Sequence, residues 1–186
     1  MKLLMIRHGK PTYKNVDDLN LVSYLSELTD EGIAQAELVA RDERLQDADI
    51  IIASPFTRAL QTAAIISRVT QIPIRIEPAF HELLLDTTHA DTVRDEYTRP
   101  AYREFISKNG IRDENTKYRW EELTHVVERS YKAMQKYLEY SKVIVVAHSV
   151  LIRTFGYCKP DFGYCEIFER EFDKNSKFEG FVGWRG

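Results

Sequence analysis

Leu3-Leu4-Met5-Ile6-Arg7-His8-Gly9 decides how the rest of the chain is read. Its first four residues are a continuous apolar run, the look of a buried strand, and the run stops abruptly on Arg7, His8 and Gly9. The same pattern returns twice. Ile50–Ala53 is a short apolar run followed by Ser54-Pro55, and Val143–Ala147 is another, followed by His148-Ser149. Short apolar runs that alternate with helical periodicity belong to α/β folds.

Between these runs the sequence turns helical. Ile33, Ala36, Val39 and Ala40 form a stripe at helical spacing after Thr29 and Asp30, both suitable N-caps. Ser54-Pro55 is expected to start a second helix, with Ser as cap and Pro at the first helical position. Phe56, Ala59, Leu60 and Ala63 form its core side. Ile72–Ile76 reads as an edge strand, because Pro73 lacks a ladder donor. Trp120, Leu123, Val127, Met134 and Leu138 lie along one face of a long helix, and Cys165–Glu169 and Phe181–Trp184 read as further strands. The pattern predicts a three-layer α/β sandwich: a mostly parallel central sheet with helices on both faces. Residues 1–186 are expected to form a single domain. Residues 79–119, polar and mixed in charge, interrupt the pattern as a helical lid insertion within it.

Composition narrows the function. Apolar residues make up 44% and charged residues 30% of 186, an ordinary balance for a folded domain. A net charge of −3 lacks the basic excess of a nucleic-acid footprint, so any positive charge for an anion must be local. No apolar run approaches the ~20 residues of a membrane span. The apolar N-terminal stretch is too short for a signal peptide, so a cytoplasmic location is expected. Cys158 and Cys165 do not form a CxxC pair and read as reduced thiols. Nothing in the sequence sets the oligomeric state.

Arg7-His8, Arg58 and His148 share one placement, just beyond the carboxyl end of a strand. In open α/β sheets ligands bind in the crevice outside those ends. Two Arg and two His, far apart in sequence, are therefore expected to meet. Arg58 sits in the first turn of its helix, where the macrodipole favours anions. A cation there makes sense if an anion lies between it and the helix, and phosphate suits the guanidinium fork. His81, His89 and His125 read as ordinary polar side chains.

These segments resemble the histidine phosphatase superfamily, also called phosphoglycerate mutase-like. Leu4-Met5-Ile6-Arg7-His8-Gly9 is similar to its signature. Leu28-Thr29-Asp30-Glu31-Gly32-Ile33-Ala34-Gln35-Ala36 resembles its LTxxGxxQA element, and Ser54-Pro55-Phe56-Thr57-Arg58-Ala59-Leu60-Gln61-Thr62-Ala63 its SPxxRAxQTA element. Val145-Val146-Ala147-His148-Ser149 is similar to its strand–His motif, with Ser149 where Gly is common. The resemblance implies His8 as a nucleophile forming phosphohistidine, and Arg7, Arg58 and His148 as phosphate-binding groups. It implies Glu82 as the acid and base, with Asp86, one helical turn on, as the alternative. No cofactor and no metal is implied.

One departure bears on the reaction. The mutases carry Ser or Thr, then Asn, where this chain has Pro11 and Lys14. Thr12 and Asn15 stand one residue late and are weaker candidates for substrate contact. Mutases of this type are also longer. The expectation is therefore a phosphomonoester hydrolase acting on a small phosphorylated metabolite. The alternatives are a phosphomutase, a phosphohistidine-protein phosphatase, and a non-catalytic phosphate-binding module. Tyr97, Tyr102, Phe105, Tyr118 and Trp120, in or beside the insertion, either line a substrate pocket or pack the insertion. Arg94, Arg99, Arg103, Lys108 and Arg112 are interleaved with acids and read as a solvated face.

Overall fold

Side chains alternate across a strand, so a run that is apolar at every position must be covered on both sides. The computed structural model, which describes residues 1–12, 22–88, 95–156, 158–159 and 162–180, shows this arrangement. Its elements in chain order are β1 (Lys2–Arg7), α1 (Val22–Leu25), α2 (Asp30–Val39), β2 (Ile50–Ala53), α3 (Thr57–Thr70) and β3 (Ile74–Ile76). There follow α4 (Asp95–Ser107), α5 (Leu123–Met134), β4 (Lys142–Ala147), α6 (Ser149–Thr154) and β5 (Ile167–Glu171). Among the described residues the sheet runs β3-β2-β4-β1-β5. The first four strands are parallel, and β5 pairs antiparallel with β1.

Leu4 and Ile6 of β1 join Ile51, Ala53, Ile144 and Val146 under α2 and α3, with Val39, Ala59, Ala63 and Ile66 above them. Leu3 and Met5 go to the other face, into a cluster with Tyr131, Met134, Leu151 and Phe155 of the α5 and α6 region. A third cluster joins Ala101 and Phe105 of α4 to Trp120, Leu123 and Val126, and to Leu83 and Val150. The three-layer sandwich is therefore present, with helices on both faces. Among the described residues no helix is long and apolar enough to cross a membrane.

Local details differ from the sequence expectation. Ser54 does not cap α3. The helix begins at Thr57, with Phe56 at the cap position and no side-chain cap bond. Ser54 Oγ instead accepts Phe56 N–H at 3.3 Å and lies 2.7 Å from His148 Nε2, so a buried tertiary partner takes the hydroxyl. Ile33 is 40% exposed while Ala36 is wholly buried, so the stripe on α2 is narrower than its apolar letters. The long helix ends at Met134 and passes into a 3-10 turn, and Trp120 precedes it, packed edge-on against Phe105. The last described strand starts at Ile167, because Cys165 adopts φ +56° and breaks the extended run. Phe181–Trp184 lies outside the described residues.

The register places the site. Arg7 lies opposite Ala147 and Ala53 opposite Val146, so three adjacent strands end side by side. The loop after β1 is then fixed by the start of α2. Thr29 caps that helix by accepting Gly32 N–H at 3.0 Å, and Lys10 O accepts Thr29 N–H at 2.9 Å. Lys10 N–H donates to Gln35 Oε1 at 2.9 Å. Contact is so close that a Cβ at Gly32 would stand 2.3 Å from Lys10 O, and one at Gly9 would stand 2.5 Å from Gly32 O. The Thr, Gly and Gln of this motif are thus the pieces that dock α2 on the His8 loop. Gly32→Ala should cost about 1–3 kcal/mol by overpacking. Calorimetry should then show a Tm lower by roughly 2–12 °C for a chain this size. An unchanged Tm would show that the contact is loose.

Candidate active site

His8 is 5% exposed and His148 is wholly buried, with ring centroids 5.1 Å apart. His8 Nδ1 is 2.7 Å from Gly9 O, which can only accept, so Nδ1 carries the proton. Nε2 then holds the lone pair, and Arg58 Nε–H donates to it at 3.0 Å. The same logic sets the second ring. Arg58 Nη2 is 3.2 Å from His148 Nδ1 and can only donate, so His148 carries its proton on Nε2 and gives it to Ser54 Oγ. Gly9 O and Arg58 together fix the tautomer of His8, and Arg58 fixes that of His148.

Burial, reinforced by the Arg58 charge, holds the pKa of both His8 and His148 well below the ordinary imidazole value. Both rings are neutral near pH 7. Arg7 closes another side of the site. Its Nη1 donates to Phe162 O at 2.7 Å, and its guanidinium lies 4.1 Å from the centre of the Tyr164 ring, which also approaches His8. Arg7 Nε is buried with no hydrogen-bond partner among the described residues. A buried donor of this kind costs free energy unless a ligand oxygen meets it.

Glu82 reaches the same place from the segment after the 3-10 turn Pro78–Phe80. Its Oε1 accepts Leu83 N–H at 2.9 Å, and its Oε2 accepts Val150 N–H at 3.3 Å, two residues past His148. Burial pushes the Glu82 carboxyl above its ordinary value, against smaller opposing effects of those two N–H groups, Arg58 and Arg129. Asp86 is turned elsewhere. It is wholly buried, paired with Arg119 at 3.2 Å, and accepts Thr88 N–H and Oγ–H at 2.8 and 2.7 Å.

Arg7, His8, Arg58 and His148 thus meet where the strand ends converge, with Glu82 at their side. Thr12 sits farther along the loop, its N–H donating to Glu27 O at 2.8 Å. Asn15, His89 and Arg94 lie outside the described residues. Of the aromatics within and just after residues 79–119, Phe105 and Trp120 are fully buried, and Tyr97 packs edge-on against Tyr118. Tyr102 is 39% exposed, and burial together with the nearby Glu82 charge pushes its phenol up to about 12. Sequence reading missed Ser54 as the partner of His148, and it missed Tyr164 and Arg129. Thr62 lay within a quoted motif, and its Oγ1 accepts Gly9 N–H at 3.1 Å.

A family model described as histidine phosphatase superfamily (branch 1) matches residues 3–159. The chain belongs to that superfamily. Among curated relatives, the adenosylcobalamin/alpha-ribazole phosphatase of Escherichia coli (strain K12) is 25% identical over 157 residues, covering 80% of this chain and 73% of its own length. Among solved structures, this superfamily member superposes on a mycobacterial glucosyl-3-phosphoglycerate phosphatase with a TM-score of 0.67 and 20% identity, covering 99% of this chain and 95% of that one. The protein histidine phosphatase SixA, solved with tungstate, gives a TM-score of 0.60 at 15% identity, with 95% and 92% coverage. The two structural likenesses show the shared fold, and the named relatives are phosphatases.

Proposed function

We propose that this superfamily member hydrolyses the phosphomonoester of a small phosphorylated metabolite, with His8 Nε2 as the nucleophile. The observation that carries the proposal is the tautomer of His8: Gly9 O holds the proton on Nδ1, so Nε2 keeps its lone pair, which accepts Arg58 Nε–H.

The steps follow from that geometry. As phosphate enters, Arg58 Nε–H shifts from Nε2 to a phosphoryl oxygen; the freed Nε2 pair attacks phosphorus, and the bond to the leaving oxygen breaks with its electron pair passing to that oxygen. Glu82 gives the oxygen its proton. Arg7 and Arg58 hold the equatorial oxygens and meet their charge in the transition state. The ionised Glu82 then takes a proton from water as the water attacks phosphorus. The P–N pair returns to Nε2, and orthophosphate leaves.

The opposite pKa shifts support this division of labour. At ordinary values of 6.5 for His8 and 4.5 for Glu82, no pH gives mostly neutral imidazole and mostly protonated carboxyl together. Lowering the first and raising the second brings the two forms toward the same window. The names of the Escherichia coli and mycobacterial relatives support a small phosphorylated metabolite as substrate. The presence of Glu82 favours an alkoxide leaving group over a phosphohistidine protein, whose imidazole leaves without strong acid help.

The test is a panel of phosphorylated metabolites scored for both orthophosphate release and isomer formation, with and without EDTA. Release from at least one sugar or nucleoside phosphate, unaffected by EDTA, is the expected result, since Arg7 and Arg58 can meet the charge a metal would otherwise carry. Isomer formation in excess of release would make the protein a mutase. Turnover of none of the panel would favour a binding module.

A further inference from the structure

Arg129 of α5 uses all five of its N–H donors on one neighbourhood. Nη1 donates to Ala79 O at 2.5 Å and His81 O at 2.9 Å, and Nη2 donates to Glu82 O at 3.4 Å and Glu121 Oε2 at 3.0 Å. Nε donates to Glu121 Oε1 at 2.7 Å. Three carbonyls of the segment that ends in Glu82 therefore converge on a single guanidinium. Glu121 holds the other side of that segment, giving its N–H to Leu84 O at 2.7 Å and accepting Leu84 N–H at 3.4 Å. The side chains of Arg129 and Glu121 are only 16% and 9% exposed.

The residues before Glu121 tie this point to α4 as well. The neighbouring Trp120 donates its indole N–H to Glu104 of α4 at 3.0 Å, and Thr87 N–H donates to Arg119 O at 2.9 Å. The position of the Glu82 segment is thus shared among α4, α5 and the stretch between them.

We infer that Arg129 and Glu121 are a positioning pair that sets the Glu82 carboxyl against the phosphate site, and this rests on Glu82 being the proton donor. Arg129 supplies the geometry. Its planar fork reaches three carbonyls and both Glu121 oxygens at once, which the three donors of a lysine cannot do. Glu121 supplies charge compensation. A bare guanidinium beside Glu82 would favour the carboxylate and discharge the acid, and the bidentate partner offsets that field. Among the described residues the other groups facing Glu82 are Arg58 of α3, Tyr102 of α4, the Leu83 N–H and the Val150 N–H of α6, and neither substitution below alters them.

The two residues then have different signatures. Single-turnover release of alcohol from an alkyl phosphate and of nitrophenol from an aryl phosphate is measured against pH. The set is wild type, Arg129→Lys, Glu121→Gln, and each variant combined with Glu82→Gln. Arg129→Lys should slow the alkyl phosphate by on the order of 10–100-fold through misplacement of the acid. The aryl phosphate should change by less than about threefold, since its leaving group needs no proton. Glu121→Gln should move the alkaline limb of the alkyl phosphate profile to lower pH by roughly half a unit or more. Both effects should vanish when Glu82 is already Gln.

Equal losses for both substrates, an unmoved alkaline limb, or full additivity with Glu82→Gln would overturn the pairing. If Glu82→Gln itself shows no leaving-group dependence, the acid assignment fails and the pair has nothing to position. If Glu82→Gln shows it while both single variants match wild type, only the pair's role fails. The two variants report separately, so loss of folding in one leaves the other to decide.

Discussion

Replacing His8 by alanine is expected to lower turnover of a generic aryl phosphate by on the order of 10⁴–10⁶-fold, the scale seen when a nucleophile is removed from a site that otherwise stays intact. The aryl phosphate is the right probe because its leaving group needs no proton, so the loss reports on attack alone. The change removes the ring that bonds Gly9 O and receives Arg58, leaving a small buried gap, and circular dichroism should still show a folded chain. In the native protein, rapid quenching during turnover should trap a phosphoryl group on His8 that is labile to acid and stable to base. Near-native turnover by the alanine variant would remove His8 from the mechanism. The pH dependence has a definite sign. Burial and Arg58 depress the His8 pKa, so attack should persist below the ordinary value of 6.5 and fail only as pH drops through the lower one.

The second large effect is expected at Glu82 and depends on the substrate. Glu82→Gln keeps the shape, but its single amide oxygen can accept only one of the Leu83 and Val150 N–H groups, and it cannot deliver a proton. Single-turnover cleavage of an alkyl phosphate should fall by about 10²–10⁴-fold, while formation of phosphohistidine from a nitrophenyl phosphate should be nearly spared. Breakdown of the intermediate should slow with either substrate, because the same carboxylate positions water. As Glu82 is raised by burial, the alkyl phosphate rate in the native protein should decline as pH rises through that raised value, and the Gln variant should lose this limb. Asp86→Asn is the comparison. Asp86 is bound to Arg119 and Thr88, so this change should lower stability without a leaving-group dependence. Equal loss for both substrates with Glu82→Gln, or a leaving-group dependence with Asp86→Asn, would move the acid elsewhere.

Much of this protein was legible in its letters because those letters report short-range physics. Apolar runs at Leu3–Ile6, Ile50–Ala53 and Val143–Ala147 became β1, β2 and β4, since a strand covered on both faces must be apolar at every position. The run Ile72–Ile76 did become an edge strand, though it starts at Ile74, with Pro73 just ahead of it. Thr29 announced the start of α2, because a cap bonds N–H groups only a few residues ahead. The convergence of Arg7, His8, Arg58 and His148 followed from a topological rule: parallel strands carry their carboxyl ends to one edge.

What the letters could not disclose are contacts between side chains and partners far away in the chain, backbone carbonyls above all. Ser54 looks like a helix cap by local rules, yet the His148 ring, 94 residues on, takes its hydroxyl. Arg7 leans on Phe162 O and the Tyr164 ring, and Arg129 gathers carbonyls some 50 residues upstream. A carbonyl is present at every residue, so its use as a partner leaves no mark on residue identity or spacing. Which of Glu82 and Asp86 lies beside Val150 and Arg58 is likewise decided only by the fold. Both are carboxylates one helical turn apart in sequence. Only the fold turns one toward Val150 and His148 and the other toward Arg119, because burial and partner distance are properties of the packed chain.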